Sequence, residues 1–194
     1  MKIYYVHGIG SSGGGNTVEL LKKYYPDYEI ISDDIPTDPL AAFMTIKKNT
    51  RDCDIVIGTS LGGFYTMMLS GCFKIIINPA IIADEDIKSA IGMGTHDFLR
   101  PRKSGETTYT IDDKYIENLK YLRELFFTEW FDEDYRFETY GVFGTEDTVV
   151  NRQDTFKKYY GSTRFYTGTF GHRITEEAFV ELVKPIIDKI AGEK

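Results

Sequence analysis

The pentapeptide Gly58-Thr59-Ser60-Leu61-Gly62 follows the apolar run Ile55-Val56-Ile57 directly and opens a helical pattern. A serine in that setting, with glycines two before and two after, is the pattern of a nucleophile elbow. Its hydroxyl must project from a tight strand-to-helix turn, and side chains at the flanking positions would collide. Serine is a weak nucleophile until a base takes its proton and a carboxylate orients that base. Where such an elbow occurs, the partners follow in the order serine, acid, histidine, each leaving the carboxyl end of a strand. Asp147 lies in Gly144-Thr145-Glu146-Asp147 after one strand-like run, and His172 lies in Gly171-His172 after the next. The expected relay is therefore Ser60 as nucleophile, His172 as base and Asp147 as the acid. Glu146 is the neighbouring alternative to Asp147 and should point elsewhere on so short a loop. His7 comes too early for the order, and His96 reads as an ordinary loop histidine.

Acyl transfer also needs backbone N–H groups aimed at the oxygen that becomes negative, each worth about 3 kcal/mol in related chemistry. One donor is the residue after the nucleophile, Leu61. The other comes from a loop after an early strand, often following His-Gly, which here is Ile9. The same loop has a rival reading. Gly8, Gly10 and Gly13 match the GxGxxG dinucleotide fingerprint after a strand and before a helix, and Asp33 and Asp34 stand near where a ribose-binding carboxylate would be. That reading predicts an oxidoreductase but leaves the His-Gly pair, the elbow and the late Gly-His unused. A second rival is a binding protein that keeps the fold without turnover.

The elements that must hold these residues alternate in type. Strands are expected at Ile3–Val6, Tyr28–Ile31, Asp54–Ile57, Phe73–Ile77, Thr139–Phe143 and Thr163–Thr167. Helices are expected at Thr17–Tyr24, Pro39–Lys48, Leu61–Leu69, Arg152–Tyr159 and Glu176–Ile190, the last kinked by Pro185. Continuous apolar strands separated by amphipathic helices predict an α/β fold with a compact, mostly parallel sheet of about six strands. Residues 1–194 read as one domain. Residues 82–136 break the rhythm as a helical insertion before the penultimate strand. One helix starts there near Asp112-Asp113, with Tyr115, Leu119, Leu122 and Phe126 on one face. The insertion is either a cap over a pocket or a crossover covering the sheet. Its aromatics, Phe98, Tyr109, Tyr115, Phe126, Phe127 and Trp130, would line an acyl pocket or, for most of them, form core. Its basic turn (Arg100, Arg102, Lys103) reads first as a solvated face and second as a phosphate contact for an acyl-coenzyme A.

Composition narrows the classes. The 194 residues are 42% hydrophobic and 27% charged, enough to build a core and too apolar for a disordered chain. A net charge of −7 argues against a general nucleic-acid or anionic-membrane binder. Two cysteines and three histidines give neither a disulfide framework nor an evident metal site. No signal-peptide pattern and no apolar run of about 18 residues is present, so a cytoplasmic location is expected. No metal or organic cofactor is implied, and the expected partner is a small acyl ester or thioester, not nucleic acid or membrane.

With these residues in view, the chain resembles the small bacterial YqiA/YcfP-type esterases of the α/β-hydrolase fold. The likeness rests on the opening YYVHGIGSS, the elbow IGTSLGGFY, the INPA segment at Ile77–Ala80, and the GTEDTVV and GHRI segments. It implies ester or thioester hydrolysis by Ser60, Asp147 and His172, on a sheet lacking the superfamily's first antiparallel strands. Gly13-Gly14-Gly15 departs from the pattern by loosening the first loop.

Overall fold

The computed structural model describes residues 1–193. Along the chain run β1 (Lys2–Val6), α1 (Asn16–Tyr24), β2 (Glu29–Ile31), α2 (Pro39–Asn49), β3 (Ile55–Thr59), α3 (Leu61–Met67) and β4 (Phe73–Ile77). Then come α4 (Ala83–Ala90), β5 (Gly94–Asp97), β6 (Thr108–Ile111), α5 (Asp113–Leu125), a π turn (Phe126–Trp130) and α6 (Glu133–Glu138). The chain closes with β7 (Thr139–Gly144), α7 (Gln153–Tyr160), β8 (Phe165–Gly168), α8 (Glu176–Ala178), a second π turn (Phe179–Val183) and α9 (Lys184–Gly192).

Six strands form one parallel sheet in the order β2-β1-β3-β4-β7-β8. Alternation along the strands divides the core in two. Ile3, Tyr5, Ile55, Ile57, Ile75 and Ile77 face one side, packed with Val18 and Leu21 of α1 and with Phe179, Ile186 and Ile190 near the C-terminus. Tyr4, Val6, Val56, Ile76 and Phe143 face the other, against Phe43 of α2, Phe64 of α3, Leu119 of α5 and Phe156 of α7. Both faces are covered, which is why the strands read as unbroken apolar runs.

From β1 the chain goes to β2 on one side, and β3 then adds on the other. Strand order therefore reverses between β1 and β3, and a crevice opens beyond their carboxyl ends. The loop after β1 and the turn after β3 border that crevice.

The insertion holds more than the single expected helix. β5 and β6 pair antiparallel as a separate hairpin, with His96 opposite Tyr109. Period 2 is visible in β6 once it is known: Tyr109 and Ile111 are buried while Thr108 and Thr110 are exposed. The expected helix is α5, capped by Asp112, whose carboxylate accepts from the Tyr115 amide at 2.8 Å. Tyr109, Tyr115 and Phe126 are core residues, with Phe98, Phe127 and Trp130 packed on the same core. Pro185 does not simply kink the last helix; it follows a π turn, at the start of α9. A change of hydrogen-bond register at that point accommodates a residue that has no N–H to donate. Among the described residues no helix is long and apolar enough to cross a membrane.

Candidate active site

Ser60 sits between β3 and α3 with φ 53° and ψ −122°, one of two non-glycine residues with positive φ among those described. Such a conformation costs on the order of 1–3 kcal/mol and persists only where its surroundings enforce it. Here the Ser60 amide donates to the Ile77 carbonyl at 3.0 Å, and the Ser60 carbonyl accepts from the amides of Phe64 and Ala80 at 3.2 and 3.0 Å. The elbow glycines are steric necessities. A Cβ on Gly62 would run into the carbonyl groups of Val6 and His7, and one on Gly58 into Thr66 and the Gly62 backbone.

Asp147 and His172 come from the loops after β7 and β8. His172 Nδ1 lies 2.9 Å from Asp147 Oδ2, leaving Nε2 free of the carboxylate. The other carboxylate oxygen accepts from the amides of Val149 and Val150 at 2.8 and 3.1 Å. Burial alone would push the Asp147 carboxyl up, but the bonds from His172, Val150 and Val149 outweigh it and hold the group below the usual aspartate value. Glu146 is exposed and uses its amide on the Phe170 carbonyl. Ser60 and His172 border the same cleft, and among the described residues Ser60 Oγ makes no hydrogen bond. Catalytic hydrogen bonds of this kind commonly tighten only with substrate in place.

Asn78, at the end of β4, is the second residue with positive φ, at 43°, and it is 1% exposed. Its Nδ2 donates to the carbonyls of Gly171 and His172 at 2.9 and 3.2 Å, and its Oδ1 accepts from the Gly144 amide at 2.8 Å. One side chain thus ties the loop carrying Asp147 to the loop carrying His172. Sequence reasoning noted the Asn only as part of a family-like segment; the available signal was an amide side chain at a strand exit beside two loops of interest. Asn78→Ala removes three buried hydrogen bonds and leaves strained backbone. A loss of about 2–4 kcal/mol in stability is expected, read by chemical denaturation. A fall in kcat larger than the rise in KM should accompany it if these loops hold the relay expected from the sequence.

The loop after β1 is built around His7, Gly8 and Gly10. His7 is buried; its Nε2 accepts from the Ile35 amide at 3.0 Å, so Nδ1 carries the proton and donates to the Gly8 carbonyl at 2.8 Å. Burial lowers its pKa, which keeps it neutral. Gly8 lies against Ser60: a Cβ there would be 3.2 Å from Ser60 Cβ. Gly10 has φ 69°, under the Tyr109 ring. Ile9, between them, borders the cleft. Leu61 is the first residue of α3, so its N–H has no partner inside the helix. Asp34 accepts from the amides of Gly13 and Lys103 at 2.8 and 2.6 Å, which occupies the carboxylate that a ribose would have needed.

The basic turn separates into three roles. Arg102 is internal, donating to the Ile35 carbonyl at 2.7 Å and lying over the Phe98 ring. Lys103 contributes its amide to Asp34, and Arg100 borders the cleft. The cleft has a volume of about 660 Å³ and also takes in Ile87, Leu99, Val149 and Arg173. Both cysteine thiols are buried and pushed up to about 11, so neither competes as a nucleophile near neutral pH.

Solved structures share this architecture. Alpha/beta hydrolase domain-containing protein 10 from mouse is 15% identical, with a TM-score of 0.66 over 99% of this chain and 90% of that one. Est1E from Butyrivibrio proteoclasticus is 14% identical, with a TM-score of 0.66 over 98% and 88%. The methylesterase protein MES16 from Arabidopsis is 11% identical, with a TM-score of 0.59 over 96% and 98%. The parallel sheet, the strand-end elbow and these likenesses define the α/β-hydrolase fold. Within it, residues 2–176 match the uncharacterised protein family UPF0227, and the chain belongs to that family. This is the YqiA/YcfP grouping that the opening, elbow and INPA segments resemble.

Proposed function

We propose that this protein is a serine hydrolase that cleaves carboxylic esters or thioesters through an acyl-enzyme. The observation that carries the reading is the His172–Asp147 hydrogen bond of 2.9 Å beside a cleft that also holds Ser60 in its strained turn. In the proposed reaction Ser60 Oγ attacks the carbonyl carbon while His172 Nε2 takes its proton. The amides of Ile9 and Leu61 donate to the resulting oxyanion. Collapse of that intermediate breaks the bond to the alcohol or thiol, which leaves with the proton from His172. Water then attacks the acyl-Ser60 ester, with His172 again as base, and releases the acid. Asp147 stays ionised throughout and stabilises the imidazolium. Residues 82–136 serve as the cap, since the segment carrying Leu99 and Arg100 borders the cleft. The methylesterase named among the structural neighbours agrees with this class of chemistry.

The test is covalent labelling. A fluorophosphonate probe is expected to label the native protein, with the adduct on the peptide containing Ser60 by mass spectrometry. An unlabelled protein would give the fold to the non-catalytic binding alternative, and an adduct elsewhere would remove Ser60 as the nucleophile.

A further inference from the structure

We propose that Arg100 and Arg173 make the cleft selective for substrates that carry a negative charge alongside an apolar group. Their role rests on the ester- or thioester-cleaving reading of Ser60 and adds the substrate class to it. The protein has a net charge of −7, yet the residues bordering the Ser60 cleft include two arginines and no Asp or Glu. Three other arginines are neutralised, Arg102 by Glu106, Arg123 by Asp84, and Arg152 by Asp86 and Glu85, while Arg51, Arg136 and Arg164 do not border this cleft. Among the described residues, Arg100 and Arg173 form no ion pair. Two uncompensated guanidinium groups on one cleft of an acidic protein create a local positive field, and low-dielectric walls focus it.

Position adds to the charge. Arg173 directly follows the base. Arg100 directly follows Leu99, whose amide donates to the Gly10 carbonyl at 2.7 Å and so ties that segment to the loop carrying Ile9. Both cations are thus held by segments that also hold the reacting groups, and an anion bound to them fixes the register of the ester over Ser60. Ile87, Ile91, Leu99 and Val149 supply an apolar surface in the same cleft. The ligand that fits is amphipathic: an apolar stretch plus a carboxylate or phosphate, groups that a guanidinium binds through paired N–H bonds. The charge can belong to the acyl part or to the leaving group.

Matched ester pairs test this and separate the two sources. On the acyl side, the p-nitrophenyl monoester of adipic acid is compared with its methyl-capped diester. On the leaving-group side, 4-carboxyphenyl butyrate is compared with the methyl ester of its carboxylate. The readout is the ratio of kcat/KM for the charged over the capped member, divided by the same ratio for hydroxide-driven hydrolysis. A preference of about tenfold or more for the charged member is expected in at least one pair. That preference should shrink about tenfold in Arg100→Gln or Arg173→Gln, be partly kept in the Lys variants, and weaken as salt screens the field. No preference in either pair, or one unchanged in both Gln variants, would overturn the selectivity while leaving the hydrolase intact. Failure to cleave any of the four esters, together with absence of fluorophosphonate labelling, would instead overturn the reaction on which the selectivity rests.

Discussion

Ser60→Ala is expected to lower kcat on a p-nitrophenyl ester by roughly 10⁴- to 10⁶-fold, the range seen when a triad nucleophile is removed. The remaining rate would come from the oxyanion donors and from binding, which the substitution leaves in place. Loss of folding is not the cause to expect, and Ser60→Gly separates the two. Ser60 lies at φ 53°, a conformation that glycine adopts without strain. The glycine variant should be as inactive as the alanine variant, yet as stable as the native protein or up to about 1 kcal/mol more stable. Retained activity in either variant would remove Ser60 from the mechanism. Thermal melting and steady-state kinetics on the same preparations decide the matter.

Asp147→Asn is expected to cost about 10⁴-fold in kcat at neutral pH while barely altering the shape of the site. The carboxylate accepts from His172 Nδ1 at 2.9 Å, which places the imidazole proton on Nδ1 and leaves Nε2 able to accept from Ser60. An asparagine that presents its NH₂ there would favour the opposite tautomer, with Nε2 already protonated and useless as a base. The same residue gives a pH signature. Its native pKa lies below the ordinary aspartate value near about 3.9. A carboxyl depressed by folding contributes stability above its unfolded pKa and loses that contribution as pH falls towards its native pKa. The stability gap between the native protein and Asp147→Asn should therefore be constant above about pH 5 and close as the solution is acidified below about pH 4. A gap that widened in acid would contradict the hydrogen-bonded carboxylate. Denaturant unfolding at a series of pH values reads it.

How far the sequence reached depended on how local each feature was. The six parallel strands are carried by short apolar runs bounded by glycine and polar turns, so their existence is visible without coordinates, while their order in the sheet comes from the structure. The elbow is legible as a five-residue pattern, although only part of what enforces it is local: a Cβ on Gly58 meets Thr66 and Gly62 nearby, whereas one on Gly62 meets the distant end of β1. Asp147 and His172 stood out by order and by position at strand exits. The structure brings these two into hydrogen-bond contact and puts Ser60 on the same cleft. Asn78 was not legible as a positioning residue, because its partners, Gly144, Gly171 and His172, are more than sixty residues away in the chain. The β5–β6 hairpin was missed for a different reason. Its strands are four residues each, rich in Gly and Thr, and only Tyr109 and Ile111 mark the buried side of β6. Arg102 resembled its neighbours in composition and differs from them only through burial.

The bond from the Leu99 amide to the Gly10 carbonyl has a kinetic consequence. Leu99, Arg100 and Pro101 border the cleft, and this segment is fastened to the turn that carries Ile9. In the proposed mechanism, an ester bulky enough to displace it would tilt the Ile9 amide away from the forming oxyanion. Oversized compounds should therefore still occupy the site and act as slow, competitive occupants of it, so that exclusion by size is felt in turnover before it is felt in affinity.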